Sequence, residues 1–485
     1  SDVYKRQKEN ATKCSKVVHE GLKMHNLIKK GLAYTFLGKM GNIIIMLVLD
    51  TVLSRLLSPF VYGVVAILTV FIVFFQLLAD IGLGPAIIQN QFLNQRDINV
   101  LFNFSVYSSS LLAICFGLLG LPLENIYHID NLAKYSLLLS IAVFFYGAIL
   151  VPNAILAKKK DFKILSVNSL IGSSIGGIIG ILLALNGGGV YSLLFNTIAA
   201  SGIVFFLNLR KSGLVFTGYL KISSLQKVFS FTMNQLGFNI LNYFSRNLDE
   251  LLIGKYLSPS DLGNYNKSYR LLMYPATILG SIINPVLLPI MSDYQNDISM
   301  IKKTYVRMQG IFSDFVFPLS IFLSFSAKSI ITLMYGNQWT EAIVPFEILA
   351  LSVWAQVLNI SAGTIFQVRN MTSKLLLTGI ISSGIIVTAI ISGVLQRSIL
   401  SISLYLTIAF IINTVVVLQM VMKNAFNSSI VPLLKKMYIP LIVSFCMAVI
   451  FEIYSQIFQV NNLFIDVIFR FVISVSYTHL TLPTN

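Results

Sequence analysis

Arg55-Leu56-Leu57-Ser58-Pro59-Phe60-Val61-Tyr62-Gly63 returns 200 residues later as Lys255-Tyr256-Leu257-Ser258-Pro259-Ser260-Asp261-Leu262-Gly263. The same offset pairs Asn42 with Asn242, acidic Asp50 with Glu250, and Pro85 with Pro285, with no gap between them. A membrane chain built from two equivalent halves has the organisation of a transporter, with its substrate site between the halves.

The composition is that of a membrane protein. Of 485 residues, 56% are hydrophobic and 11% charged, whereas a soluble domain carries roughly 25% charged residues. Most of the surface must therefore face lipid. Crossing a bilayer as a helix takes about 20 predominantly apolar residues. Such stretches occur near 31–57, 61–88, 98–121, 132–157, 164–185, 189–208, 228–256, 262–290, 308–333, 343–367, 374–396, 398–422, 432–455 and 462–476. The shorter alternating segments of a membrane β-barrel are not seen. The expected fold is all-α and integral to the membrane, with about 14 transmembrane helices. Two pseudo-symmetric six-helix lobes are followed by two C-terminal helices, the last of them truncated.

Residues 1–30 read as a cytoplasmic arm and 31–208 as the N-lobe, helices 1 to 6. A cytoplasmic linker, 209–227, precedes the C-lobe at 228–422, helices 7 to 12, and helices 13 and 14 occupy 423–475. Ser1-Asp2-Val3-Tyr4-Lys5-Arg6-Gln7 and the tail 476–485 resemble translated adaptor sequence and are set apart as gene-model artefact, with Met24 as the expected start. Gly172, Gly176 and Gly180 fall four apart on one helix face, as close helix packing requires.

The net charge of +16 is distributed by loop. With the N-terminus inside, the loops after even-numbered helices hold Lys158, Lys159, Lys160 and Lys163, then Arg210, Lys211, Lys221 and Lys227, with further cations in the later loops. The opposite loops hold essentially Arg397. This positive-inside bias places both termini in the cytoplasm, and it accounts for the charge without nucleic acid. The three cysteines and four histidines are scattered, so neither a metal site nor a disulfide framework is expected. No phosphate-binding loop or nucleophile elbow is present, and no loop offers an acid/base pair beside a nucleophile. An enzyme is not expected.

Helix 7 carries the strongest signal. Gln235, Asn239, Asn242, Arg246 and Asp249 lie on one helical face, with Glu250 beside it. Arg246 is spaced to reach Asp249 at i,i+3 and Glu250 at i,i+4. A charge at the bilayer centre costs at least ~2.5 kcal/mol, so this stripe faces either a hydrated cavity or a polar partner helix. Helix 1 is the weaker counterpart, with Lys39, Asn42 and Asp50. Helix 8 adds Lys267 and Arg270. Lys267 either snorkels to the interface or enters a cavity, and Arg270 lies one turn deeper. Asp80 and Asp314 are either proton or sodium sites or partners of loop lysines.

Ser245-Arg246-Asn247-Leu248-Asp249-Glu250-Leu251-Leu252-Ile253-Gly254-Lys255-Tyr256-Leu257 resembles the seventh-helix signature of Wzx-type polysaccharide flippases. Leu262-Gly263-Asn264-Tyr265, the Pro285 to Pro289 stretch and Leu56-Leu57-Ser58-Pro59 with Tyr62-Gly63 fit the same pattern. The branch that includes WzxC and teichuronic acid exporters is the most similar, over about 31–455. The resemblance implies the multidrug/oligosaccharidyl-lipid/polysaccharide exporter superfamily, two lobes working by alternating access in the bacterial cytoplasmic membrane, and a cargo of undecaprenyl-pyrophosphate-linked oligosaccharide. It also implies partner polymerase and glycosyltransferases. No cofactor is expected, and any coupling to H+ or Na+ is expected at the carboxylates.

The residues suit such a cargo. A pyrophosphate head requires cations, and arginine presents a planar fork of donors to phosphate. Arg246, Lys39 and Arg270 are the expected phosphate ligands, and Asn42, Asn239, Asn242 and Gln235 the expected partners of sugar hydroxyls. Asp249, Glu250, Asp50, Asp80 and Asp314 are charge partners or coupling sites. A lipid II flippase and a cation-coupled multidrug exporter of the same superfamily are the alternatives; the basic residues within the membrane weigh against cationic drugs.

Overall fold

The computed structural model describes residues 34–80, 83–89, 93–220, 243–244, 246–295, 297–458 and 462–481. Every regular element among them is helical. Ten helices are long and apolar enough to cross a membrane, or eleven if the bent pair Asn337–Ala350 and Val353–Val368, which meet at 52°, forms one span. The expected span at 228–256 lies largely outside the described residues.

The described residues begin with α1 (Tyr34–Leu56). They continue through α2 (Pro59–Ala79), α3 (Leu83–Gln89), α4 (Gln95–Tyr127), α5 (Leu132–Ala148), α6 (Leu150–Lys158), α7 (Phe162–Leu185) and α8 (Val190–Ser212). After residues 221–242 come α9 (Leu248–Tyr256), α10 (Pro259–Ser292), α11 (Ile298–Phe325) and α12 (Ala327–Tyr335). A 3-10 turn (Asn337–Ala342) leads to α13 (Ile343–Ala350), α14 (Val353–Asn359) and α15 (Ala362–Val368). The last four helices are α16 (Thr372–Leu395), α17 (Ile399–Met420), α18 (Val431–Ile457) and α19 (Leu463–Thr481).

These elements form two compact units. The first gathers Ser1–Asp50, Ile72–Leu123 and Asn131–Gly237. Its core joins α3, α4, α6 and α8 through Leu83, Leu101, Phe102, Val151 and Phe205. On α7 the glycine stripe meets α8 at van der Waals range: a Cβ on Gly176 would lie 2.7 Å from the Asn196 carbonyl oxygen, and one on Gly172 would lie 2.9 Å from that of Ala200. The glycines therefore serve backbone approach, as small residues do between membrane helices. Asn168, Asn208 and Asn153 run a chain of amide hydrogen bonds of 2.6 and 2.7 Å through the same region.

The second unit gathers Thr51–Phe71, Glu124–Asp130 and Phe238–Asn485. Both copies of the repeated stretch lie in it, and they meet. A Cβ on Gly63 would collide with the Pro259 carbonyl, and one on Gly263 would collide with the Pro59 carbonyl. The crossing is reciprocal, so the 200-residue repeat in sequence becomes a local two-fold contact between the N-terminal turns of α2 and α10. The start of α10 is well specified. Ser258 Oγ accepts from the Asp261 amide at 3.1 Å, Asp261 Oδ2 accepts from the Ser258 amide at 3.1 Å, and Pro259 takes the first helical position. This is a capping box with its orphan donors satisfied reciprocally.

Candidate functional site

Within the second unit, α9 and α10 bring together the polar residues that flank the second copy of the repeat. Asp249 and Glu250 occupy the first turn of α9, where the helix dipole favours carboxylates. The Tyr265 hydroxyl donates to Asp249 Oδ2 at 2.6 Å, and Asn266 Nδ2 donates to Glu250 Oε1 at 2.7 Å. Both donors come from α10, one position apart. One turn on, Tyr269 stacks on Tyr265 at 5.7 Å between centroids and meets Phe410 of α17 at 6.5 Å. Arg270 follows Asn266 by one turn and acts electrostatically on Glu250, while Arg246 does so on Tyr269. Asp249 is buried and Arg246 is exposed. The other oxygen of Asp249, Oδ1, is buried and has no hydrogen-bond partner among the described residues. The cluster thus holds two cations and two carboxyls, with each carboxyl given a neutral donor from α10.

Three positions before Arg270, Lys267 has a different fate. Its side chain is 0% exposed. Nζ donates to Ser54 Oγ at 2.6 Å and sits 3.7 Å from the Tyr62 ring centroid, 4.6 Å from that of Tyr335 and 5.4 Å from that of Trp339. The cage walls are themselves fixed. Trp339 Nε1 donates to the Ser54 carbonyl at 2.8 Å, Gln338 Nε2 donates to the carbonyls of Ser54 and Leu57, and Ser54 Oγ lies 3.2 Å from the Tyr62 hydroxyl.

The remaining sequence-selected residues are dispersed. In the first unit, Lys39 is exposed. Asn42 spends its amide on α7, donating to Ser169 Oγ and accepting from Ser173 Oγ, both at 3.1 Å. Asp50 is buried and Asp80 is exposed. Asp314 of α11, in the second unit, is half-buried and feels Lys436. Gln235, Asn239 and Asn242 lie outside the described residues. No group of three metal-ligating side chains occurs among the described residues.

Sequence reasoning missed Asn266 and Tyr265 as partners of the carboxyls, although their separation from them, 16 residues in both pairs, is a regular signal across a helical hairpin. It also missed a buried ion pair on α19. Arg470 Nε lies 2.9 Å from Asp466 Oδ1, Ser329 donates to the other carboxylate oxygen at 2.7 Å, and the guanidinium lies over Phe451 and Tyr454.

A family model described as polysaccharide biosynthesis protein matches residues 52–344, which contain the repeat, the cage and the α9–α10 cluster. The chain belongs to that family. Among its relatives, a membrane protein from the cps region of Klebsiella pneumoniae is 26% identical over 62% of this chain and 63% of its own length. The teichuronic acid biosynthesis protein TuaB of Bacillus subtilis is 23% identical over 60% of this chain and 61% of its own. The lipopolysaccharide biosynthesis protein WzxC of Escherichia coli is 20% identical over 84% of both. The chain spans less than two thirds of the length of the first two. These matches bear out the resemblance to Wzx-type polysaccharide flippases. A solved structure of the lipid II flippase MurJ, in an inward closed conformation, aligns over 92% of this chain and 97% of its own with a TM-score of 0.72 at 14% identity. That likeness shows that this member of the polysaccharide biosynthesis family shares the multi-helical fold of MurJ.

Proposed function

We propose that this protein carries undecaprenyl-pyrophosphate-linked oligosaccharide from the inner to the outer leaflet of the bacterial cytoplasmic membrane, for export of a capsular, exopolysaccharide or teichuronic-type polymer. The observation that supports it most is the α9–α10 cluster. Arg246 is exposed, Arg270 acts on Glu250, and Asp249 and Glu250 accept from Tyr265 and Asn266. The guanidinium forks of Arg246 and Arg270 bind the pyrophosphate oxygens, the sugars occupy a hydrated cavity, and the isoprenoid tail stays in the bilayer. Alternating access then exposes the head first to one face of the membrane and then to the other. Asp249 and Glu250 provide carboxyls for coupling to H+ or Na+, since intramembrane carboxyls act as ion relays.

The test is complementation of a flippase-deficient capsule strain. The wild-type chain is expected to restore surface polysaccharide, and Arg246→Ala to lose most of that rescue at unchanged protein level by blot. Equal rescue by both would remove Arg246 from the transport path. Rescue instead of a lipid II flippase depletion would reassign the cargo to the peptidoglycan precursor.

A further inference from the structure

Helices α16 and α17 form a hairpin whose turn carries Arg397. Between the two helices runs a groove of about 560 Å³, walled by Ile381, Gly384, Ile385, Tyr405, Ile408 and Ile412. Ile408 and Ile412 are exposed, and both helices are long and apolar enough to cross a membrane. The medium around them is therefore hydrocarbon. The groove extends along α16 from Ile381 to Ser392, which at 1.5 Å per residue is roughly 16 Å. A hydrocarbon core is about 30 Å thick, so one leaflet takes up about half of that. The groove thus has the length of one leaflet, ending near the turn.

That end is polar. Tyr405, which closes the groove, receives a hydrogen bond of 2.8 Å on its hydroxyl from Gln396 Nε2. Arg397 follows directly, exposed and with a positive φ of 50°. The opposite length of the groove is opened by Gly384, where an added Cβ would meet nothing within 4 Å. A largely apolar channel one leaflet long, ending near the turn that carries Gln396 and Arg397, has the polarity of a lipid with a single anionic head. We propose that this groove holds one acyl chain of an anionic bilayer phospholipid, with its phosphate held at Arg397 and Gln396. Arginine pairs with phosphate oxygens through parallel N–H donors, and basic residues beside membrane helices select anionic heads.

The full chain in neutral detergent, supplied with phosphatidylglycerol or with phosphatidylcholine of the same acyl composition, provides the test by native mass spectrometry. We expect phosphatidylglycerol to be retained at least about 5-fold better than phosphatidylcholine. Arg397→Gln should bring the two to the same level. Gly384→Leu, which fills the groove from a position with open space around it, should abolish retention of both while leaving the melting temperature of the protein unchanged. Equal retention of the two lipids by the wild type, or retention of phosphatidylglycerol undiminished in both variants, would overturn the proposal. Displacement of bound phosphatidylglycerol by equimolar undecaprenyl phosphate would also overturn it, by assigning the groove to the carrier lipid.

Discussion

Lys267 and Arg270 stand one turn apart on α10 and meet opposite environments. Lys267 is enclosed by Tyr62, Tyr335 and Trp339 with its ammonium bonded to Ser54. Arg270 sits beside Glu250, in a cluster that Arg246 leaves open to its surroundings. The contrast separates two uses of a cation in a membrane protein. A caged cation ties elements together, because its interactions are already complete and desolvation makes ring contacts worth ~2 kcal/mol or more. An exposed cation such as Arg246 remains available to an anion that comes and goes. The two uses predict a dissociation between variants that cost the fold and variants that cost transport.

The largest cost to the fold belongs to the crossing that supports the cage. Gly63 lies next to Tyr62, and any side chain there collides with the Pro259 backbone, which has no flexible end to move aside. Overpacking costs typically 1–3 kcal/mol where side chains can adjust; against backbone, Gly63→Val should cost about 3 kcal/mol or more. The check is the yield of monodisperse protein in detergent together with its melting curve. Gly263→Val should behave alike, because the contact is reciprocal. A variant of either glycine that melts like the wild type would dissolve the local two-fold contact as a determinant of the fold.

Lys267→Ala comes next. It removes a hydrogen bond and three ring contacts, and it leaves a cavity, for an expected loss of about 2–4 kcal/mol. Lys267→Met fills nearly the same space, so it leaves no cavity behind and loses less than alanine. The cage therefore predicts that methionine restores most of the melting temperature that alanine loses. It further predicts that export in the methionine variant follows protein abundance. Loss of export by Lys267→Met at normal abundance would instead move Lys267 from the structural use to the transport use.

Much of this arrangement was legible in the sequence, in proportion to how local its cause is. The repeat, the serine–proline start of α10 and the glycine stripe of α7 are each set by neighbours within a turn or by an unbroken offset. Arg270 acts on Glu250 across the α9–α10 hairpin, whereas the reach of Arg246 to Asp249 and Glu250 expected from their spacing stays an expectation. The cage was not legible. Its walls come from Ser54, Tyr62, Tyr335 and Trp339, and nothing in a run around Lys267 indicates which distant rings will meet it. Asn42 illustrates the same boundary. Its polar character within the membrane is plain from the sequence, but Ser169 and Ser173, which take its amide, are supplied by another helix.

Tyr265→Phe should cost less than Lys267→Ala. Removing the hydroxyl strips Asp249 of its donor at 2.6 Å, and Asp249 Oδ1 already lacks a hydrogen-bond partner among the described residues. A buried acceptor left unsatisfied costs about 1–3 kcal/mol. The expected melting shift should shrink when Asp249→Leu is combined with Tyr265→Phe, because the stranded carboxyl is then gone. A double variant that loses the sum of the two single losses would show that the two side chains act independently, and the hydrogen bond would contribute little.

The smallest effect on the fold, and the sharpest test of the contrast, is expected at Arg246. The side chain is exposed, and substitutions at such positions usually change stability by no more than about 0.5 kcal/mol. Arg246→Ala and Arg246→Lys should therefore melt like the wild type. Their export should nevertheless differ: alanine removes the charge and the fork, while lysine keeps a point charge and loses the paired donors that fit a phosphate. An order of wild type, then lysine, then alanine in surface polysaccharide, at equal protein level, is what an exposed phosphate ligand predicts. If lysine and alanine both export fully while Tyr265→Phe does not, the role of the cluster passes from its cations to its carboxyls, and the open half of the comparison becomes an ion-coupling site.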